Sequence, residues 1–198
     1  MNVFISWSGE RSRMAAEAFY RALPMILLKP KSDFYLSTGI YKGADWEKNL
    51  NEGLQAADFG ILCVTRENFN APWMIYEAGY LSHKAGADKI APFLLDVSPS
   101  ELEGPVTHFH ATKFEKEDLQ KLVLDMNLLE SKPLREKNLV DNFEDAYDRW
   151  EERLKEAVAL RDSAEDVARQ TLADVERLLR RSAKNQALLK KIASGARK

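Results

Sequence analysis

Residues 1–128 are built from two kinds of segment that alternate along the chain. Short runs with few polar residues predict buried strands, and longer segments with apolar residues three or four positions apart predict helices. The strands are predicted at 3–6, 33–37, 58–65, 89–95 and 108–112. The helices are predicted at 11–23, 46–56, 72–84 and 115–128. This alternation indicates an α/β domain whose parallel strands are joined by right-handed crossovers.

Individual residues sharpen some of these predictions. The run 58–65 is the clearest strand because it is apolar on both faces, as a central parallel strand should be. The helix 11–23 carries Phe19 and Leu23 on one face. We expect it to end there, because Pro24 disfavours its continuation.

The pattern changes after residue 138, within a long segment, 134–194, that contains no glycine or proline. Two apolar stripes with helical spacing follow one another there. The first stripe contains Phe143, Tyr147, Trp150, Leu154 and Val158, and the second contains Ala164, Ala168, Leu172, Val175 and Leu179. We therefore expect one or two helices over 139–195, appended to a domain that spans 1–130. The stripes either pack against that domain or each other, or they recruit a partner or drive self-association.

The start of the helix 72–84 carries the most informative chemistry in the chain. Asn70 is a plausible helix cap, and Pro72 suits a first turn, where its missing N–H costs nothing. Trp73 and Glu77 are four residues apart, so they share one helical face. The pair offers a flat apolar wall and one negative charge. Such a site suits a substrate that becomes a cation as it reacts.

The expected topology brings this pair to a defined place. In parallel sheets, ligands bind beyond the carboxyl ends of the strands, where the winding direction changes. If the strand order is 2-1-3-4-5, that point lies between strands one and three. Ser6 and Trp7 leave strand one there, and Glu77 lies on the helix that follows strand three. The helix pattern and the sheet topology thus indicate the same crevice.

Composition and charge exclude several classes of protein. The 198 residues are 45% hydrophobic and 30% charged, with a net charge of -2, which gives no general argument for nucleic acid binding. Cys63 is the one cysteine, so no disulfide is expected and a reducing compartment is favoured. We find no signal peptide and no apolar run that could cross a membrane, so we expect a cytoplasmic protein. The basic segment 177–198 lacks interleaved aromatic residues, and we expect no nucleic acid partner.

Residues 1–125 resemble a bacterial TIR (Toll/interleukin-1 receptor) domain. Three features carry the resemblance: the opening Val3-Phe4-Ile5-Ser6-Trp7, the glycine-bearing loop 37–46 in the place of the family's BB loop, and Trp73-x-x-x-Glu77. The stretch 58–79 as a whole is similar to the bacterial branch of that family. The C-terminal segment beyond residue 138 shows no such similarity.

The resemblance implies a flavodoxin-like, five-stranded parallel sheet of order 2-1-3-4-5 with a C-terminal helical extension. Many bacterial TIR domains cleave NAD+ between nicotinamide and ribose, commonly in defence against phage. The family's catalytic glutamate falls on Glu77, and its aromatic partner falls on Trp73. Family members often become active only when they self-assemble, so the resemblance also implies self-association through the loop 37–46. A separate sensor or effector protein is a further possible partner, reached through the C-terminal helices.

Cleavage of NAD+ needs few catalytic groups, and one carboxylate can be sufficient. Nicotinamide is a cationic leaving group that departs neutral, so no general acid is needed, in contrast to ordinary glycosides. Glu77 can stabilise the oxocarbenium-like ribosyl centre and orient its hydroxyls. We therefore expect no metal and no cofactor, with NAD+ as the substrate. Water at the ribose C1 would give ADP-ribose, and an atom of the same molecule would give a cyclic product.

Further residues are candidates for substrate binding. Trp73 can wall the ribose or nicotinamide, and Trp7 and Trp46 can stack on an aromatic base. Ser6 and Ser37 can donate hydrogen bonds, and Lys42 or Arg11 can meet the pyrophosphate. The candidate substrate-binding residues are Ser6, Trp7, Ser37, Lys42, Trp46 and Trp73.

Each of these assignments has a plain structural alternative. Glu77 can be a solvated helix residue, and Trp73 or Trp46 can be a core aromatic. Lys42 and Arg11 can be ordinary solvated charges. We expect Trp7 to be exposed at the carboxyl edge of the sheet.

Two other functions compete with NAD+ cleavage. The first is a non-enzymatic TIR adaptor that binds other TIR domains through the loop 37–46. The second is an enzyme similar to nucleoside deoxyribosyltransferases, which share the sheet and use a carboxylate on a neighbouring helix.

Overall fold

A computed structural model describes residues 1–37, 52–160 and 164–195 of the chain. The strands in these ranges are β1 (Val3–Ser6), β2 (Phe34–Leu36), β3 (Phe59–Val64), β4 (Ile90–Leu94) and β5 (Thr112–Lys113). The helices are α1 (Glu10–Ile26), α2 (Pro72–Ala85), α3 (Lys116–Leu128), α4 (Glu136–Ala159) and α5 (Ala164–Gly195). Residues 52–56 are also helical, and residues 46–51 of the helix expected there lie outside the described ranges.

The five described strands form one sheet of order β2-β1-β3-β4-β5, and every pair is parallel. In the register of β1, Ile5 lies opposite Leu36 on one side and Ile61 on the other. The predicted flavodoxin-like fold and strand order are confirmed. The direction of winding changes between β1 and β3, so the carboxyl ends of these two strands flank a crevice.

Side chains from successive strand residues point to opposite faces of the sheet and divide the core into two layers. In β1, Val3 and Ile5 belong to the layer that contains α1, α3 and α4. Phe4 points the other way, into the layer that contains Leu54 and α2. All six residues of β3 are buried, as expected for a central strand.

Two boundaries differ from the sequence prediction. Helix α1 runs through Pro24 and ends at Ile26, although we expected it to stop before the proline. Pro24 lies in the last turn, so it costs few intrahelical bonds, and burial of Leu23 and Ile26 outweighs them. The last strand is Thr112–Lys113 instead of 108–112, because a short 3-10 helix occupies Gly104–His108.

Helix α4 packs along α1 and completes the first layer of the core. Its inward face is Leu139, Phe143, Ala146, Tyr147, Trp150, Leu154 and Ala157. The Trp150 ring meets Phe19 of α1 edge-to-face, with ring centroids 4.9 Å apart. Most of the first predicted stripe is therefore buried against the domain. Val158 is the exception, because its side chain is 38% exposed and does not belong to the buried face of α4.

Helix α5 lies on the opposite side of the sheet, against α2. Its expected apolar stripe does not face the protein, because Leu172 is 62% and Leu179 is 65% exposed. The buried position in this part of the helix is the charged residue Asp174. At these two positions the second stripe does not pack against the domain, and the alternative that it recruits a partner or drives self-association stays a prediction.

None of the helices in the described ranges combines the length and the apolar character that a membrane crossing requires.

Candidate functional site

The end of β1 and the first turns of α2 meet at the expected crevice. Ser6 is the last residue of β1, and Glu77 lies in the second turn of α2. The Ser6 hydroxyl donates a hydrogen bond of 2.5 Å to Glu77 Oε2, and both side chains are fully buried. Glu77 is therefore not a solvated helix residue. We call the part of the switch point that contains Ser6, Ser8, Trp73 and Glu77 the Glu77 crevice.

Local sequence fixes where α2 begins. Pro72 is its first residue, as predicted, because a proline at this position gives up no intrahelical bond. The cap residue is Ala71, which has no side-chain hydrogen bond, so the prediction that Asn70 caps the helix is wrong. The hydrogen bonds that fix the chain before α2 come from the side chain of Asn68 instead. Its side chain accepts from Thr65 N at 2.7 Å and donates to the carbonyl oxygens of Cys63 and Ser8.

A second set of bonds shapes the turn between β1 and α1. Gly9 has a φ of 92°, a conformation that glycine adopts without strain. Ser8 N donates to Ser12 Oγ at 2.8 Å, and Ser12 Oγ donates back to Ser8 O. These bonds fix the backbone of Ser8, which is buried close to the end of β1.

Burial dominates the electrostatics of Glu77. Loss of solvation raises the pKa of Glu77 from 4.5 to about 8, and the nearby Asp174 carboxylate adds to the shift. The Ser6 hydroxyl, the Trp73 indole and the Arg177 guanidinium act in the opposite direction and lower this pKa. The covered site therefore holds Glu77 largely protonated at neutral pH.

Trp73 forms the wall beside the carboxyl group. It is 2% exposed and stacks on Tyr76, with ring centroids 5.4 Å apart. Within the described residues, Trp73 Nε1 and Glu77 Oε1 have no hydrogen-bond partner. The indole is close enough to lower the pKa of Glu77 but does not meet hydrogen-bond geometry. These two unsatisfied atoms offer a donor and an acceptor to a ligand.

Helix α5 covers this crevice with a face that the sequence did not indicate. Ser8 Oγ donates a hydrogen bond of 2.8 Å to Asp174 Oδ2. The Arg177 guanidinium lies over the Trp73 ring, with Cζ 6.0 Å from the ring centroid, and Arg181 lies over Tyr76 at 4.9 Å. The sequence feature that could have predicted these contacts is the spacing of 174, 177 and 181, because it places the three residues on one helical face.

The other predicted site residues are only partly placed here. The Ser37 hydroxyl accepts from Trp7 N at 3.1 Å and donates to Trp7 O, so it holds the chain that leaves β1. Trp7 is half-buried against the first core layer, so the prediction that it is exposed at the carboxyl edge of the sheet is wrong. Lys42 and Trp46 lie outside the described residues.

Arg11 is a buried, ion-paired residue and not a solvated charge. Its guanidinium contacts both carboxylate oxygens of Glu67 at 2.8 Å and Asp96 Oδ2 at 2.6 Å. Its Nε donates to the carbonyl oxygen of Ala157 in α4. Arg11 therefore joins the segments that follow β1, β3 and β4 to the end of α4.

Three further observations concern the rest of the described chain. A groove of about 600 Å³ lies beyond β4 and β5, lined by 94–99, 113–115 and the end of α4, and it contains none of the candidate residues. Within the described residues, no group of three or more histidine, cysteine or acidic side chains is arranged to hold a metal ion. Cys63 is fully buried, and burial raises the pKa of its thiol, so it is no activated nucleophile.

A parallel sheet of this order, with helices on both faces, defines an α/β domain of the flavodoxin-like class. The family model described as TIR domain matches residues 3–123. The chain belongs to the TIR domain family. This family includes NAD+-cleaving enzymes, and TIR domains self-associate. No curated protein matches the chain.

Proposed function

We propose that this protein cleaves NAD+ between nicotinamide and ribose, as a glycohydrolase or an ADP-ribosyl cyclase. The observation that carries the proposal is the buried Ser6–Glu77 pair beside Trp73, at the switch point of the sheet. This arrangement puts one carboxylate, one hydroxyl donor and one aromatic wall at a single place. The carboxylate is the group that this reaction requires, and the hydroxyl and the aromatic ring can position the carboxylate and the substrate.

Glu77 acts on the ribosyl centre. The bond between the ribose C1 and the nicotinamide nitrogen breaks, and its electron pair leaves with the ring, which becomes neutral. The deprotonated carboxylate of Glu77 stabilises the positive charge that develops on the ribose. Water then forms the new bond to C1 and releases one proton, which gives ADP-ribose. An atom of the same nucleotide in place of water gives a cyclic product.

The surrounding residues have supporting roles in this proposal. Ser6 orients the Glu77 carboxylate, and Trp73 forms a flat apolar wall beside the nicotinamide or ribose ring. Trp7, Ser37, Lys42 and Trp46 remain proposed contacts of the substrate. The reaction uses neither metal nor cofactor, and its natural setting in this proposal is the cytoplasm of a bacterium under attack by phage.

The direct test is nicotinamide release from NAD+ by the purified chain and by Glu77→Gln. We expect the variant to lose at least about a hundredfold in rate, because a preorganised charge contributes at this scale. Glu176→Gln is the matched control, since Glu176 lies on an exposed part of α5. Equal rates for the Glu77→Gln variant and the native chain would overturn the proposal.

Self-association is part of the proposal. The loop 37–46 of one copy would complete the site of the next, so specific activity would rise with protein concentration. Light scattering during the assay tests this: a monomer that is fully active when dilute contradicts it. A sensor or effector that docks on the C-terminal helices would have to use α5 or the exposed face of α4, because the apolar face of α4 is buried against α1.

A TIR adaptor without enzymatic activity is the second candidate. The observation that favours it is the complete burial of Glu77 under α5, since a protein that only binds needs no accessible carboxylate. Partner binding without NAD+ turnover in any state of assembly would support the adaptor. Phage protection that is lost in Glu77→Gln would support the enzyme.

A further inference from the structure

Helix α5 turns a mostly charged face toward the Glu77 crevice. This inner face consists of Asp174, Arg177, Leu178 and Arg181, which follow the i, i+3, i+4, i+7 spacing of one helical face. Asp174 is fully buried, and Leu178 packs at the margin of the second core layer. A surface helix usually does the reverse and turns its apolar face inward.

The inner face is matched to polar groups of the crevice. Asp174 accepts from Ser8 Oγ at 2.8 Å and pairs with Arg177 at 3.4 Å. A buried carboxylate is tolerated only when such partners satisfy it. The apolar residues Leu172 and Leu179 remain on the outside. Over 171–186, where the side chains of α5 are described, polar contacts of this kind accompany little apolar burial, which is typical of elements that open at low energetic cost.

Arg177 has the chemistry of a planar cation on an aromatic wall. Its guanidinium lies over the Trp73 ring, and its charge lowers the pKa of Glu77. The nicotinamide ring of NAD+ is also planar and cationic. The guanidinium and this ring would therefore compete for the same indole face and the same carboxylate.

We propose that α5 is an autoinhibitory cover, with Arg177 in the place of the substrate's planar cation and Asp174 tying the helix to Ser8. The identity of that cation rests on the function proposed above. The crevice opens when α5 is released, and closure and substrate binding exclude one another.

The state of Glu77 agrees with this arrangement. The covered carboxyl group is largely protonated at neutral pH, because burial raises its pKa to about 8. The protonated form cannot stabilise a developing positive charge. Release of α5 returns water to Glu77, which lowers its pKa and restores the carboxylate.

Access to the crevice can be measured without any enzymatic activity. In a full-length Glu77→Cys chain, the rate at which iodoacetamide alkylates the introduced thiol reports how often position 77 is exposed. Cys63 is fully buried and serves as an internal check, because it reacts only if the chain unfolds. The inner-face variant adds Asp174→Ala and Arg177→Ala, and the matched control adds Glu176→Ala and Arg180→Ala on the exposed side of α5.

We expect alkylation to be at least about tenfold faster in the inner-face variant, since minor open states are commonly populated at roughly 10% or less. The control should react like the parent chain. Equal rates in all three chains would overturn the proposal, as would rapid alkylation of the parent. If Cys63 reacts in the inner-face variant, that variant has unfolded, and a Glu77→Cys chain with Arg177→Gln alone replaces the inner-face variant in the comparison.

A second arm uses chains that retain Glu77 and measures nicotinamide release at low protein concentration. We expect the inner-face variant to exceed the native chain by about the same factor as in alkylation. Faster alkylation with an unchanged, measurable rate of release would overturn autoinhibition. Faster alkylation with no release from any chain would support the cover and overturn NAD+ cleavage, so the two proposals fail separately.

Discussion

Ser6 and Glu77 are 71 positions apart in the chain, and their side chains form a 2.5 Å hydrogen bond in the core of the protein. The bond ties the carboxyl end of β1 to α2 at the switch point of the sheet. It also leaves Glu77 Oε1 without a hydrogen-bond partner among the described residues. A buried carboxyl group with one oxygen unsatisfied makes both stability and activity depend on pH.

The free energy of unfolding should fall as the pH rises from about 4.5 to about 8. The folded state holds the Glu77 proton up to a pKa of about 8, whereas the unfolded chain loses it near 4.5. The folded state therefore binds more protons in this window, and the contribution of Glu77 is complete below the window and lost above it. Asp174 on α5 strengthens the effect, and Ser6, Trp73 and Arg177 weaken it.

The measurement is urea unfolding of the native chain and Glu77→Gln across pH 4–9. The difference between the two curves isolates this group from other titrations, and the variant should gain relative stability as the pH rises. At about 1.4 kcal/mol per pKa unit, the change amounts to several kcal/mol. Glu176→Gln replaces an exposed glutamate on α5, and its unfolding free energy should change with pH in parallel with that of the native chain. Parallel curves for Glu77→Gln would contradict the raised pKa.

Ser6 should act as a positioning residue for Glu77. Its hydroxyl lowers the pKa of Glu77, so Ser6→Ala should move the acid limb of the kcat/KM profile upward by about one pH unit. Ser6→Thr keeps the hydroxyl and should restore the native profile. Ser100→Ala removes an exposed hydroxyl elsewhere and is the control. A uniform loss of activity at every pH would show a merely structural role for Ser6.

The sheet could be predicted from the sequence because its central strands are nearly uniform in chemistry. Every residue of β3 is apolar and buried, and no competing pattern exists there. Pro24 and the start of β5 could not be predicted, because their outcome depends on distant contacts. A local rule ends α1 before Pro24, whereas burial of Ile26 in the core extends it.

The candidate site also has a part that could be predicted from the sequence and a part that could not. The meeting of Ser6 and Glu77 follows from strand order and the helix after β3, both of which the sequence indicates. The inner face of α5 does not follow, because apolar periodicity selects Leu172 and Leu179 as the buried side. The crevice instead offers a hydroxyl group and an indole face, and these partners favour Asp174 and Arg177.

Arg11→Met should cost about 2 kcal/mol or more of unfolding free energy. The arginine side chain is 5% exposed and pairs with Glu67 and Asp96, so its loss leaves two carboxylates without their cation. These carboxylates retain partial solvent contact, which keeps the cost below that of a fully buried pair. Arg66→Met breaks an exposed pair with Glu101 and should cost less than about 1 kcal/mol. Similar costs for the two variants, measured by urea unfolding, would contradict a structural role for Arg11.

Trp150→Ala tests whether α4 folds as one unit with the sheet. Trp150 is 2% exposed and packs on Phe19, so its truncation should cost about 3–5 kcal/mol. Because α4 shares the first core layer with α1, far-UV and near-UV circular dichroism should report one transition at a lower urea concentration. Leu179→Ala, at a 65% exposed position, should change stability by less than about 0.5 kcal/mol. An extension that folds separately over 139–195 would instead give an early transition for the helix and leave the transition of the sheet unchanged.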